Sequence, residues 1–195
     1  MSIAFFDFDG TISTKDSLVE FIKYAVGKYR YYYGLLKLSP VLVLYTLKLI
    51  PNNIAKEKLL SNYFKDWATE DFERLADKYS ETELNQIIKS SAVEKIKWHQ
   101  EQGHKVVVVS ASINSWLKKW CDHYQVELIA TQLEYKKGKL TGRFSTKNCY
   151  GIEKVNRINA QFDLAKFEEI YAYGDSAGDK EMLAISTQPH YKLFK

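Results

Sequence analysis

Two pairs of acids carry the strongest chemical signal in this chain. The first lies in Asp7-Phe8-Asp9-Gly10-Thr11, at the end of the apolar run Ile3 to Phe6. If that run is a β-strand, its two-residue alternation sends Asp7 and Asp9 to the same side. Neighbouring carboxylates repel at pH 7 and coexist best with a cation between them or with a shared proton. An Asx-turn closed by Gly10, with both acids in water, fits the same five residues. The second pair, Asp175 and Asp179, lies in Tyr173-Gly174-Asp175-Ser176-Ala177-Gly178-Asp179, after another apolar run. The glycines let the backbone bend near a ligand. Oxygen donors without His or Cys favour Mg²⁺ over zinc. Asp179 also reads as an N-cap for residues 180–185.

Two further residues complete a phosphate site. Ser110, in Ser110-Ala111-Ser112, follows the run Val106 to Val109 and precedes a helical pattern whose first N–H groups would attract an anion. A plain helix cap is its other reading. Lys154, in Gly151-Ile152-Glu153-Lys154, opens the pattern Val155, Ile158, Phe162; an ordinary helix lysine would face solvent there. Each of these segments follows an expected strand or begins a helix.

The elements that must position these side chains are short apolar runs at residues 3–6, 106–109, 126–130 and 170–173. Such runs, apolar on both faces, predict buried parallel strands. Ile113, Trp116, Leu117, Trp120, Cys121 and Tyr124 form a helical stripe between the second and third. Strand, helix, strand implies a right-handed crossover, and so an α/β, Rossmann-like parallel sheet with helices on both faces. From Asp16 to Val93 only helical patterns occur, too many for one crossover. They predict an inserted helical cap over residues 16–93, with the core formed by residues 1–15 and 94–195. Leu18, Phe21, Ile22, Ala25 and Val26 make its first face, opened by a capping box of Ser17 and Glu20. Leu133 to Phe144, with Gly138 between alternating arms, predicts a small β-hairpin.

Composition narrows the class. The chain has 195 residues, 46% hydrophobic and 27% charged, enough for a folded core without disulfide or zinc staples. Cys121 and Cys149 form no CxxC, so zinc is not expected and a reducing compartment is. A net charge of +4, scattered along the chain, gives no case for nucleic acid. The first ten residues, MSIAFFDFDG, do not read as a signal peptide. The expected location is cytoplasmic.

DFDGT, VVVVSAS, GIEK and YGDSAGDKEML, in that order, resemble the four motifs of the haloacid dehalogenase superfamily. The insertion directly after the first motif resembles the type I cap of the branch (subfamily IB) that includes phosphoserine phosphatases. The resemblance implies a Mg²⁺-dependent phosphatase with a phosphorylated small molecule as its partner. Asp7 would be the nucleophile that forms an aspartyl-phosphate, and Asp9 the general acid and base. Asp7, Asp175 and the backbone carbonyl of Asp9 would hold Mg²⁺, with Asp179 orienting them. Ser110, Ala111, Gly10 and Thr11 would surround the phosphate, and Lys154 would neutralise charge. A receiver-like signalling protein uses similar residues, but its phosphorylated Asp ends the third strand and it has no large cap.

Substrate is less legible. Phosphoserine phosphatases commonly carry Glu nine residues after the nucleophile; here Asp16 stands there, a candidate specificity residue of the cap. The segment from Tyr31 to Leu47 is similar to an apolar cap segment of phosphatidylglycerophosphatases, which gives a lipid phosphate as the alternative to a small soluble phosphomonoester. Lys37 and Lys48 bracket a run too short to span a bilayer, and Pro40 disfavours one continuous helix. Burial in the cap or between subunits is the expectation for this segment; a face resting on a membrane is the other reading. Lys136, Lys137, Lys139, Arg143 and Lys147 would then meet anionic headgroups, or else simply be solvated.

Overall fold

The computed structural model describes residues 1–194. Its main sheet has the order β3-β2-β1-β6-β7, with all neighbours parallel: β1 (Ile3–Phe6), β2 (Lys105–Ile113), β3 (Glu127–Thr131), β6 (Ile170–Gly174) and β7 (Gln188–Tyr191). Period-two alternation divides the core in two. Ala4, Phe6, Val106 and Val108 face one cluster, and Ile3, Phe5, Val107 and Val109 face the other. The first face is covered by α6 (Ser90–Glu101) and α7 (Asn114–His123), the second by α8 (Ile152–Gln161) and α9 (Lys180–Ala184). The expected doubly covered α/β sheet is what the sequence builds.

Between β1 and β2 lie α1 (Ser17–Val26), α2 (Lys28–Lys37), α3 (Ser39–Thr46), α4 (Asn52–Phe64) and α5 (Thr69–Thr82). The chain leaves and re-enters the core along two adjacent segments. The Thr14 amide donates to the Ile87 carbonyl at 2.7 Å, and the Lys89 amide to the Ile12 carbonyl at 2.8 Å. The helical insertion does not have a core of its own. Phe21, Phe64 and Phe72 belong to the same buried cluster as Phe6, Trp116 and Trp120, and Phe21 stacks on Trp116 with 4.6 Å between ring centroids.

Three local expectations change. The first cap helix opens not with a Ser17–Glu20 capping box but with Asp16, whose carboxylate accepts from the Val19 amide at 3.0 Å. Ser17 is fully buried and turned to other partners. The strand β7, reading Gln188-Pro-His-Tyr191, lacks the apolar signature of its neighbours because it lies at the sheet edge, where Pro is tolerated. The segment from Tyr31 to Leu47, expected to be buried, breaks at Leu38 and lies largely in water. Only Tyr31 and Gly34 of α2, and no residue of α3, are buried. The hairpin forms as expected from β4 (Leu133–Lys136) and β5 (Lys139–Phe144). Lys137 and Gly138 both have positive φ, the geometry of a tight two-residue turn.

Candidate active site

The carboxyl ends of β1, β2 and β6, together with the start of α8, bring the sequence-selected residues to one place. Asp7 continues β1 beyond its last ladder residue: its amide donates to the Tyr173 carbonyl at 2.9 Å, and its side chain is nearly buried. The chain then turns sharply, with the Ile12 and Ser13 amides both donating to the Phe8 carbonyl at 2.9 Å. Gly10 sits in this turn at φ +88°, and a Cβ there would strike the Asp175 carboxylate. Only glycine allows that backbone conformation and that approach. The Thr11 hydroxyl donates to Asp175 at 3.3 Å. Gly10 and Thr11 pack with Asp175 beside a neighbouring small cleft and are not among the residues that line the cavity at Asp7.

Lys154 is buried, where a lysine must find partners for its charge. Its Nζ donates to Asp7 Oδ1 at 2.6 Å, Asp179 Oδ1 at 2.6 Å and the Val109 carbonyl at 2.7 Å. Three donors meet three acceptors, and the two carboxylates hold the ammonium charged by raising its pKa against the cost of burial. Asp179 uses its other oxygen to accept from the Ser176 amide at 2.9 Å, the Ser176 hydroxyl at 2.7 Å and the Asp175 amide at 3.2 Å. Burial alone would raise its pKa, but the Lys154 charge and these hydrogen bonds pull it below the usual carboxylate range. Asp179 occupies the position before α9 but makes no side-chain capping bond to that helix, which corrects its N-cap reading; its carboxylate instead completes a capping box with Ser176 on the preceding turn.

The remaining acids are less compensated. Burial raises Asp7 to about 6 despite Lys154, with Asp179 and Asp175 adding to the rise. Burial raises Asp9 to about 7, assisted by Asp16 and Asp7. Asp175 is also raised, first by burial and then by Asp179. Carboxylate oxygens of Asp7, Asp175 and Asp179 lie within 4.8 Å of one another. Asp179 is fully engaged, whereas Asp7 and Asp175 each keep one oxygen without a hydrogen-bond partner among the described residues. Hard oxygen donors and an excess of negative charge fit a small divalent cation such as Mg²⁺.

At the end of β2 the register with β3 slips between Ser110 and Ile113, so Ala111 and Ser112 leave the ladder. Ser110 Oγ accepts from the Ser112 amide at 3.0 Å, which leaves the hydroxyl proton for another acceptor. Ser110 and Ala111 line a cavity of about 200 Å³ together with Asp7, Asp9, Lys154 and Asp179. The inserted helices close its other side. Asp16 lines it while capping α1, and the Ser17 amide donates to Asp9 Oδ1 at 2.7 Å. Asn52 and Lys56 of α4 also line it, as does Tyr150. Lys56 Nζ donates to the Ala111 carbonyl at 3.2 Å and so spans the gap between cap and sheet. Asn52, Lys56 and Tyr150 belong to no motif, and sequence reasoning missed them. Lys56 does lie in an acid-free stretch, but nothing in that stretch separates it from its neighbours.

Comparison with known proteins gives the family and the fold. The family model described as haloacid dehalogenase-like hydrolase matches residues 4–184. Protein CicA of Caulobacter vibrioides is 30% identical over 192 residues, covering 97% of this chain and 85% of that protein. A Bordetella pertussis protein of unknown function has a similar structure, with a TM-score of 0.81 at 22% identity, covering 96% of this chain and 88% of the other. A phosphoserine phosphatase solved as an analogue of its phospho-aspartyl intermediate gives 0.61 at 22% identity, covering 97% and 84%.

Proposed function

The chain belongs to the haloacid dehalogenase-like hydrolases, and from that premise we propose that it is a Mg²⁺-dependent phosphatase acting on phosphate monoesters through Asp7. The observation that carries the reading is the state of that carboxylate. One Asp7 oxygen is held by Lys154 at 2.6 Å and the other has no hydrogen-bond partner among the described residues, beside a cavity edged by Ser110.

In this reading the free oxygen of Asp7 attacks phosphorus, forming an aspartyl-phosphate while the bond to the leaving oxygen breaks. Asp9 gives its proton to that oxygen. A pKa near 7 suits both halves of the task, donating first and then accepting a proton from water. The water oxygen attacks phosphorus, the bond to Asp7 breaks, and Asp7 is regenerated. Lys154 holds Asp7 in place and offsets charge on the phosphoryl group, and the Ser110 hydroxyl donates to a phosphoryl oxygen. Asp7, Asp175 and the Asp9 carbonyl would hold Mg²⁺, with Asp179 fixing the Asp175 turn. Bound there, the ion would supply further neutralisation of charge on the phosphate.

The cap side of the cavity carries one cation and one anion, Lys56 and Asp16. With a volume of about 200 Å³, this favours a small phosphomonoester bearing charged groups of its own. We also assign the protein to the cytoplasm, a reading supported by two buried thiols that form no disulfide. Among the described residues, no helix is long and apolar enough to cross a membrane.

Phosphate release from a panel of small phosphomonoesters, with Mg²⁺ and after EDTA, tests the reading. Asp7→Asn should lose turnover by several orders of magnitude while remaining folded. Undiminished hydrolysis by that variant would refute it.

A further inference from the structure

The outer face of α2 and α3 is built unlike the rest of the surface. Tyr29, Tyr32, Tyr33 and Leu36 recur at spacings of three and four residues, which places them on one stripe of α2. That stripe faces water: Tyr29 is 94% exposed, Tyr33 72% and Leu36 71%. The inward face of the helix is instead made by Tyr31 and Gly34. The next helix continues the apolar surface, with Val43, Leu44 and Tyr45 exposed and Leu47 and Leu49 following it into water. Monomeric soluble proteins seldom leave such a contiguous apolar area uncovered.

The charge pattern says what covers it. From Phe21 to Lys56 the sequence contains six cations and no acid. Lys28, Arg30, Lys37 and Lys48 are exposed beside the apolar stripe. A second copy of this chain, docking through a two-fold axis, would bring these like charges together without partners. An anionic lipid surface would instead receive both features, tyrosines and leucines in the headgroup boundary and cations against phosphates.

We propose that α2 and α3 form a docking face for an anionic bilayer, on which the protein lies without crossing it. The proposal stands independently of the phosphatase reading. The face is continuous in sequence with α4, whose Asn52 and Lys56 line the cavity.

Sedimentation of the whole protein with vesicles tests this, using phosphatidylcholine alone or mixed with phosphatidylglycerol. The wild type should pellet with the mixed vesicles only, and less at high salt. Leu36→Glu and Leu47→Glu should abolish pelleting. Lys37→Gln and Lys48→Gln should each reduce partitioning by roughly fivefold, the value of one cation near an anionic surface. All four side chains are exposed, so melting temperature and hydrolysis of a soluble phosphomonoester should not change. If an acidic variant melts low, the two Lys→Gln variants decide. A wild type that stays in the supernatant would overturn the proposal, as would binding unaffected by all four substitutions. So would a wild-type dimer in sedimentation velocity that Leu36→Glu disperses.

Discussion

The Asp9 carboxylate accepts a hydrogen bond from the Ser17 amide at 2.7 Å, so the group assigned to proton transfer is held by the first residue of the first cap helix. An amide N–H favours the charged form of the acid it meets. It therefore opposes the burial that raises Asp9 and keeps its pKa near neutrality.

Ser17→Pro isolates this contact. Proline is well tolerated at the first position of a helix, and Asp16, at φ −68° and ψ 116°, already has the extended conformation that precedes proline. Because Ser17 Oγ also lies 2.7 Å from Ser112 Oγ and accepts from Trp116 Nε1, Ser17→Ala is the reference. Relative to Ser17→Ala, Ser17→Pro should lose about 10- to 100-fold in kcat, the range for one hydrogen bond to a charged group. Equal steady-state rates in the two variants would show that the amide does not serve Asp9.

Removing Lys154 should cost stability as well as activity. Lys154→Met leaves Asp7 and Asp179 buried without their cation, a change worth about 3–5 kcal/mol in comparable buried pairs. The deficit should be larger at pH 8 than at pH 5. Without the lysine both carboxylates bind protons more readily in the folded state than when unfolded, so the variant gains stability as pH falls. Urea denaturation of both proteins at the two pH values measures this.

Lys56→Ala should act on binding. The residue reaches the cavity from the inserted helices and makes no hydrogen bond to Asp7 or Lys154, so KM should rise by roughly 10- to 100-fold for a phosphomonoester with a second anionic group. Turnover at saturation should change little, and Lys56→Arg should recover part of the loss. Steady-state kinetics that show a fall in kcat with constant KM would contradict this role.

Mg²⁺ should stabilise the protein. At about a hundredfold excess over Kd the gain is about 2.7 kcal/mol, or roughly 5–10 °C in Tm for a chain of this size. Asp175→Asn should remove most of the shift. Protons compete for Asp7, raised to about 6, and for the raised Asp175. The shift in a thermal melt should therefore be smaller at pH 5.5 than at pH 8.

Distance from the site allows a separate pH prediction. His99 is fully buried, with Nε2 2.9 Å from the Tyr173 hydroxyl and Nδ1 2.9 Å from His104 Nδ1. Burial, then His104, Lys95 and His190, lower its pKa to about 3. The unfolded chain takes up this proton below about pH 6.5 and the folded chain does not, so stability present above that pH is lost as pH falls towards 3. The slope approaches about 1.4 kcal/mol per pH unit. His99→Gln should have a flatter dependence than the wild type below pH 6.5, measured by denaturant midpoints.

The parts of this molecule legible in its sequence are those written in local pattern. Runs such as Val106 to Val109 announce buried strands because both faces must be apolar, and acids directly after them mark the carboxyl edge of a parallel sheet. Gly138 announces its hairpin for the same kind of local reason. The edge strand around Pro189 carries no such mark, because one of its sides has no neighbour to satisfy. Lys56 and Asn52 reach the cavity only through the packing of α4 over the sheet, which no spacing encodes. The exposure of α3 was hidden for the opposite reason, since eight residues from Ser39 to Thr46 with so much apolar surface read as core.

The stacking of Phe21 on Trp116 has a consequence for how such a chain can change over generations. A side chain of the insertion and one of the host occupy a shared volume packed to the density of a crystal. The insertion is thus not a detachable module. Excising it would strip Trp116, Leu117 and Trp120 of their cover, and a foreign insertion would meet a surface cut to fit another. Any enlargement on α1 must be matched by a reduction on α7. The outward residues of α2 and α3 lie outside that buried cluster, so substitutions there change the face the molecule presents without unmaking the fold.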